Sequence, residues 1–194
     1  KSRILELFSE DYGAQVIQAD LVARELEEPG QPGLTGLVSL FGKEILNPDG
    51  TLDRKRFADR IFGNPEALKR VNALIHPLTW NEIRCRIRES HADLVVVEAA
   101  LFDERSRNIC QYLVYVDTED EVRIRRLMEN RGYSRKKCLD IMKNQADRSR
   151  FGKLADFVID NSGPIDDARK QIRQMFDQIK QQGKQMPPDA AAER

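Results

Sequence analysis

The chain opens on Lys1 and Ser2, followed at once by a helical pattern with apolar residues at Ile4, Leu5 and Phe8. A lysine and a hydroxyl residue at a helix start are the last two positions of GxxxxGK[ST]. In that motif backbone N–H groups cradle phosphates, the lysine reaches the β- and γ-phosphates, and the hydroxyl binds Mg²⁺. The dipeptide alone carries little, and an arbitrary point in an ordinary helix is the other reading. Its context adds weight: the helix leads into the apolar run "QVIQ" at Gln15 to Gln18, as a phosphate-loop αβ unit requires. On this reading a strand and a glycine-rich turn are expected immediately upstream of Lys1.

Asp20 stands just past the end of that run, in "QADLVAREL". In open α/β sheets ligands bind at the carboxyl ends of strands, so a carboxylate there faces the same crevice as a phosphate loop. Phosphoryl transfer to an alcohol needs a carboxylate to accept or orient the hydroxyl, and Asp20 is placed for it. Asp20 could also cap the helix "LVAREL", and the two roles are compatible. His76 directly precedes Pro77. It reads either as a structural histidine at a broken helix end or as a contact to substrate phosphate from the helical part of the chain.

The elements that must position these residues follow from periodicity. "QVIQ", "LVVVE" (Leu94 to Glu98), "YLVYVD" (Tyr112 to Asp117) and "FVID" (Phe157 to Asp160) are short and largely apolar, the signature of strands buried on both faces of a parallel sheet. Between them the pattern is helical, and the fold class is α/β. Asp53 is placed to cap "RKRFADRIF", and Asn64 to cap a helix with Pro65 at its first position. Pro77 is expected to end or bend that helix after His76. No strand is expected from Gly30 to His91, which marks an inserted helical subdomain with a turn at "NPDG".

Equal numbers of basic and acidic residues, 32 of each, give no global charge that would select nucleic acid or a membrane. The exception is local: Arg123 to Lys153 hold eleven basic residues against three acidic ones. A solvated surface, a nucleic-acid patch and a lid closing arginines over a triphosphate are the candidates. Only Tyr133 and Phe151 interleave, too few aromatics for a stacked single strand, so the lid is favoured. Three widely spaced cysteines form no metal-ligand pattern and read as reduced thiols. No apolar run reaches the roughly 18 residues of a membrane span, and no signal pattern opens the chain, so a cytoplasmic location is expected. The tail from Gln181 to Arg194 is expected to be disordered.

From Lys1 to about Lys180 the chain resembles the dephospho-coenzyme A kinases. The resemblance is carried by "VIQADLVARELEEPGQPG", "FGKEILNPDGTLDRKRFADRIFGNPEALKRVNALIHPL" and "ADFVIDNSG". It implies a P-loop NTPase-type parallel sheet flanked by helices, with a helical substrate-binding insertion and a basic lid. It implies ATP and Mg²⁺, and transfer of phosphate to the ribose 3′-hydroxyl of dephospho-CoA, the last step of coenzyme A synthesis. By position Lys1 resembles the phosphate-binding lysine, Ser2 the Mg²⁺ ligand and Asp20 the general base. Arg24, His76 and Arg84 would lie on the dephospho-CoA side, and Arg148 and Asn161 on the nucleotide side, with Arg148 also acting in catalysis. The implied divisions are a nucleotide-binding core of 1–29, 91–125 and 156–180, a subdomain of 30–90, a lid of 126–155 and a tail of 181–194. Gln18 replaces the first acid of the family's usual DAD, Arg3 a common threonine, Ala100 a proline, and Gly152 a frequent basic residue. Another small-molecule P-loop kinase, or an inactive relative serving as a binding module, is the alternative. No nucleic-acid or membrane partner is expected.

Overall fold

The computed structural model describes residues 2–100, 107–143 and 148–181, with backbone alone for 148–150. Lys1 and the tail beyond Gln181 lie outside the described residues. The chain divides into two compact units, one comprising Lys1–Leu7 with Leu101–Arg194 and the other Phe8–Ala100.

α1 (Ser2–Tyr12) ends at Gly13, whose positive φ of 62° lets the chain turn into β1 (Gln15–Gln18), the first strand of the Phe8–Ala100 unit. β1 pairs in parallel with β2 (Val95–Glu98), Gln15 opposite Val95 and Gln18 opposite Glu98. Three helices intervene before the long one: α2 (Ala19–Leu26), α3 (Pro32–Phe41) and α4 (Arg54–Ile61). A single 3₁₀ turn, Lys43–Ile45, precedes α4. The "NPDG" turn forms as expected, closed by Gly50 N–H to the Asn47 carbonyl at 3.0 Å. It joins Leu46 and Leu52 in an isolated antiparallel bridge.

The two predicted caps are present. The Asp53 carboxylate accepts from the N–H groups of Lys55 and Arg56 at 3.1 and 3.0 Å, and Asn64 Oδ1 accepts from Ala67 N–H at 3.0 Å. Asp53→Ala is expected to cost about 1 kcal/mol of stability, measured as a shift in the denaturant midpoint with the slope unchanged.

Of the two expectations at Pro77, an end or a bend of the helix, the first is overturned. α5 runs unbroken from Pro65 to Glu89 with Pro77 inside it. The lost backbone bond is outweighed by burial along one stripe, Ala67, Val71, Ile75, Thr79 and Ile83, which continues on both sides of the proline. The N-terminal half of α5 joins a cluster with Leu34, Leu37, Ile45, Leu52 and Phe57. Its C-terminal half joins a second cluster, in which Ile83 meets Ile17, Val22 and Leu26.

In the other unit, β3 (Val114–Asp117) pairs in parallel with β4 (Phe157–Asp160), so that Asp117 lies opposite Asp160. The strands at Val95 and Val114 start one and two residues later than the apolar runs suggest. Helices α6 (Asp120–Arg131), α7 (Arg135–Lys143) and α8 (Arg148–Leu154) carry the basic stretch, and α9 (Ile165–Gln181) follows β4. Arg135 binds Glu121 bidentately at 2.9 and 2.6 Å, tying α7 to α6. α9 buries Ala168, Ile172 and Met175 at helical spacing. The parallel strands flanked by helices are those expected, as two separate pairs among the described residues.

Candidate active site

β1 ends at Gln18 and α2 begins at the next residue, so Asp20 falls in the first turn of a helix that follows a strand directly. The capping alternative fails: the N-cap is Gln18, whose side chain makes no capping bond, and Asp20 lies inside the helix. Its carboxylate is exposed and sits where the helix dipole favours negative charge. Arg24 is one turn further on. Both lie opposite the face that buries Val22 and Leu26, so the helix turns Asp20 and Arg24 together toward solvent.

His76 and Arg84 are eight residues apart on α5, along one row that flanks its buried stripe. Both are exposed. Arg84 Nη1 donates to Asn81 Oδ1 at 2.9 Å, which steadies the guanidinium on its own helix. α2 and α5 pack together through the cluster of Val22, Leu26 and Ile83. The side chain of Arg86 bridges them, donating to Glu25 on α2 and, at 2.9 Å, to Glu82 on α5. The bond to Glu25 and then the bond to Glu82 push the Arg86 guanidinium above its ordinary range. One compact unit thus carries Asp20, Arg24, His76 and Arg84 on two helices locked by an apolar seam and an ion pair.

The other predicted residues belong to the other unit. Ser2 is the first residue of α1 and is exposed at a helix N-terminus, where backbone N–H groups lack partners within the helix. Arg148 opens α8, with its side chain outside the described atoms. Asn161 follows β4 immediately, at the carboxyl end of the strand pair, and its N–H donates to the Asp117 carbonyl at 2.8 Å. Its side-chain amide reaches Thr118 Oγ1 at 3.5 Å. Asp160 beside it is held below the usual carboxylate range, first by the Ser162 hydroxyl and then by the Ser162 amide. Sequence reasoning missed Arg126, whose guanidinium crosses from α6 to this loop. Only its place in a basic stretch distinguished it.

Among the described residues no group of three His, Cys, Asp or Glu side chains could hold a metal ion. Ser2, the residue expected to bind Mg²⁺, offers one hydroxyl at a helix start. That fits Mg²⁺ of the kind carried largely by substrate phosphates, which takes one or two protein oxygens and demands no protein cage. No helix among the described residues is long and apolar enough to cross a membrane.

The family model for dephospho-CoA kinase matches residues 1–167. A dephospho-CoA kinase of Corynebacterium jeikeium is 38% identical over 175 residues, covering 88% of this chain and 87% of that one. One from Carboxydothermus hydrogenoformans is 37% identical over 175 residues, covering 88% and 83%. A Thermus thermophilus protein of known structure superposes with a TM-score of 0.76 at 26% identity, over 92% of this chain and 91% of that one. Parallel strands flanked by helices and these matches place the chain in the dephospho-CoA kinase family, the enzymes that phosphorylate dephospho-CoA with ATP in coenzyme A biosynthesis.

Proposed function

We propose that Asp20 is the general base of this reaction. It accepts the proton of the ribose 3′-hydroxyl as that oxygen attacks the γ-phosphorus of ATP, and the bond to the β-phosphate oxygen breaks to give ADP and the 3′-phosphate. The observation that carries the reading is the position of Asp20: exposed, in the first turn after β1, with Arg24 beside it and no capping role. Arg24, His76 and Arg84 would hold the anionic parts of dephospho-CoA. Lys1 and Arg148 would neutralise the charge that builds on the transferred phosphoryl group, and Asn161 would face the nucleotide. Mg²⁺, when bound with Ser2 as one ligand, would withdraw charge from the phosphate oxygens.

The corresponding division of labour is a nucleotide core of 1–29, 91–125 and 156–180, a dephospho-CoA subdomain of 30–90 and a lid of 126–155, acting in the cytoplasm. The test is incubation of the full-length protein with ATP, Mg²⁺ and dephospho-CoA, with the product's phosphate position read by NMR. A 3′-phosphate is expected; a phosphate elsewhere, or turnover of a different acceptor alone, overturns the reading. Arg24→Ala and His76→Ala should each raise KM for dephospho-CoA by about tenfold or more, with KM for ATP unmoved in the same assay.

A further inference from the structure

α2 is a helix of only eight residues, and it rests on α5 through an apolar seam: Val22 and Leu26 from its own buried face, and Trp80, Ile83 and Ile87 from α5. Apolar attraction is non-directional, so the seam presses the two helices together and fixes only loosely how far α2 rolls about its own axis. The roll sets the reach of Asp20 and Arg24, since both project from the exposed face of α2. A side-chain tip at the surface of a helix about 10 to 12 Å across moves by about 1 Å for a roll of about 10°.

One side chain restrains that roll. Arg86, half-buried in the last turn of α5, donates through Nη2 to Glu25 Oε2 on α2 and through Nε to Glu82 Oε1 at 2.9 Å. Glu82 sits one turn back on the same helix and steadies the planar fork, so the donor aimed at Glu25 is itself held. Arg84 is one residue beyond Ile83 and Arg86 three, which puts the two arginines on opposite flanks of the buried row. The tether therefore grips α2 without occupying Arg84. As a contribution to stability a part-exposed pair of this kind counts for little; its consequence is angular. We propose that Arg86 is a positioning residue for the acceptor: by holding Glu25 it sets the roll of α2, and with it the placement of Asp20 and Arg24 relative to Arg84. A misplacement of about 1 Å at a reacting group is enough to cost about 10²-fold in rate. This deepens the proposed function and rests on its reading of Asp20 as the base.

The experiment measures kcat and KM for dephospho-CoA and ATP in the full-length protein, in Arg86→Gln, Arg86→Lys and Glu25→Gln, and in Arg86→Gln combined with Glu25→Gln or with Asp20→Asn. Arg86→Gln and Glu25→Gln should each lower kcat/KM for dephospho-CoA by about tenfold, through kcat and KM together, with KM for ATP unmoved. The two combined should lose no more than either alone, because both remove the same contact. Arg86→Lys should recover only part of the loss, since an ammonium lacks the fork that meets two carboxylates. In the Asp20→Asn background Arg86→Gln should leave kcat as it is, there being no base left to misplace. Equal losses toward both substrates, losses that add in the double variant, or the same fall in kcat with and without Asp20 overturn the proposal. If Asp20→Asn alone costs nothing, the base reading fails. Arg86 is then judged by KM for dephospho-CoA, which should still rise through Arg24, and an unmoved KM overturns its role as well.

Discussion

Replacing Asp20 with asparagine should lower kcat for the phosphorylation of dephospho-CoA by about 10² to 10⁴-fold, the usual contribution of a positioned general base. Asparagine keeps the shape of aspartate but loses its charge and its ability to take a proton. KM for ATP should move far less than kcat, since Asp20 acts on the acceptor hydroxyl as it attacks. Stability should change little: Asp20 is exposed and its side chain makes no capping bond, so the loss is the favourable dipole interaction of one carboxylate, about 0.3 to 1 kcal/mol. A rate within twofold of the parent, measured at saturating substrate, would remove Asp20 from the reaction. A large fall in melting temperature accompanying the fall in rate would instead assign it a structural role.

The largest expected effect on stability comes from a residue with no side chain. A Cβ added at Gly33 would lie 2.4 Å from the backbone oxygen of Leu26 and 3.3 Å from the Ile75 side chain. The close neighbour is main chain at the end of α2 and cannot rotate away, so relief requires moving α3 off α2. Gly33→Ala should therefore cost about 2 to 3 kcal/mol or more, in the range of overpacked cores, seen as a lower denaturant midpoint. Gly50→Ala makes a useful contrast. There the Cβ meets nothing within 4 Å, and the penalty comes from the positive φ of 84° alone. If Gly33→Ala proved neutral, the close approach of α2 and α3 would be disproved.

These examples also show what could be read from the chain before its fold was known. The caps at Asp53 and Asn64, the helix from Ser2, the turn at Asn47 to Gly50 and the strand at Gln15 are local: a few neighbouring residues decide each. Asp20 was legible for the same reason, because the end of a strand and the start of a helix are adjacent in sequence. The continuity of α5 was not legible, because the proline's local preference is overridden by a buried stripe contacting residues as distant as Ile17 and Leu34. Nor was the clamp of Arg126 on Asn161, which joins positions 35 residues apart, or the pairing of Arg86 with Glu25, 61 apart. Spacing rules reach across a helical turn or a strand pair and no further.

Pro77 has one more consequence. It donates no N–H, so the rung that would tie it to Ala73 is absent in the middle of a 25-residue helix. Two residues on, the buried Thr79 hydroxyl donates to the Ile75 carbonyl at 2.9 Å. The halves of α5 on either side are anchored in different apolar clusters, Val71 and Ile75 in one and Ile83 in the other. The helix is therefore expected to be most compliant at Pro77, beside the exposed His76. Because α2 packs against both clusters, Val22 and Leu26 in one and Ala23 in the other, Asp20 and Arg24 ride on a helix that spans the same joint.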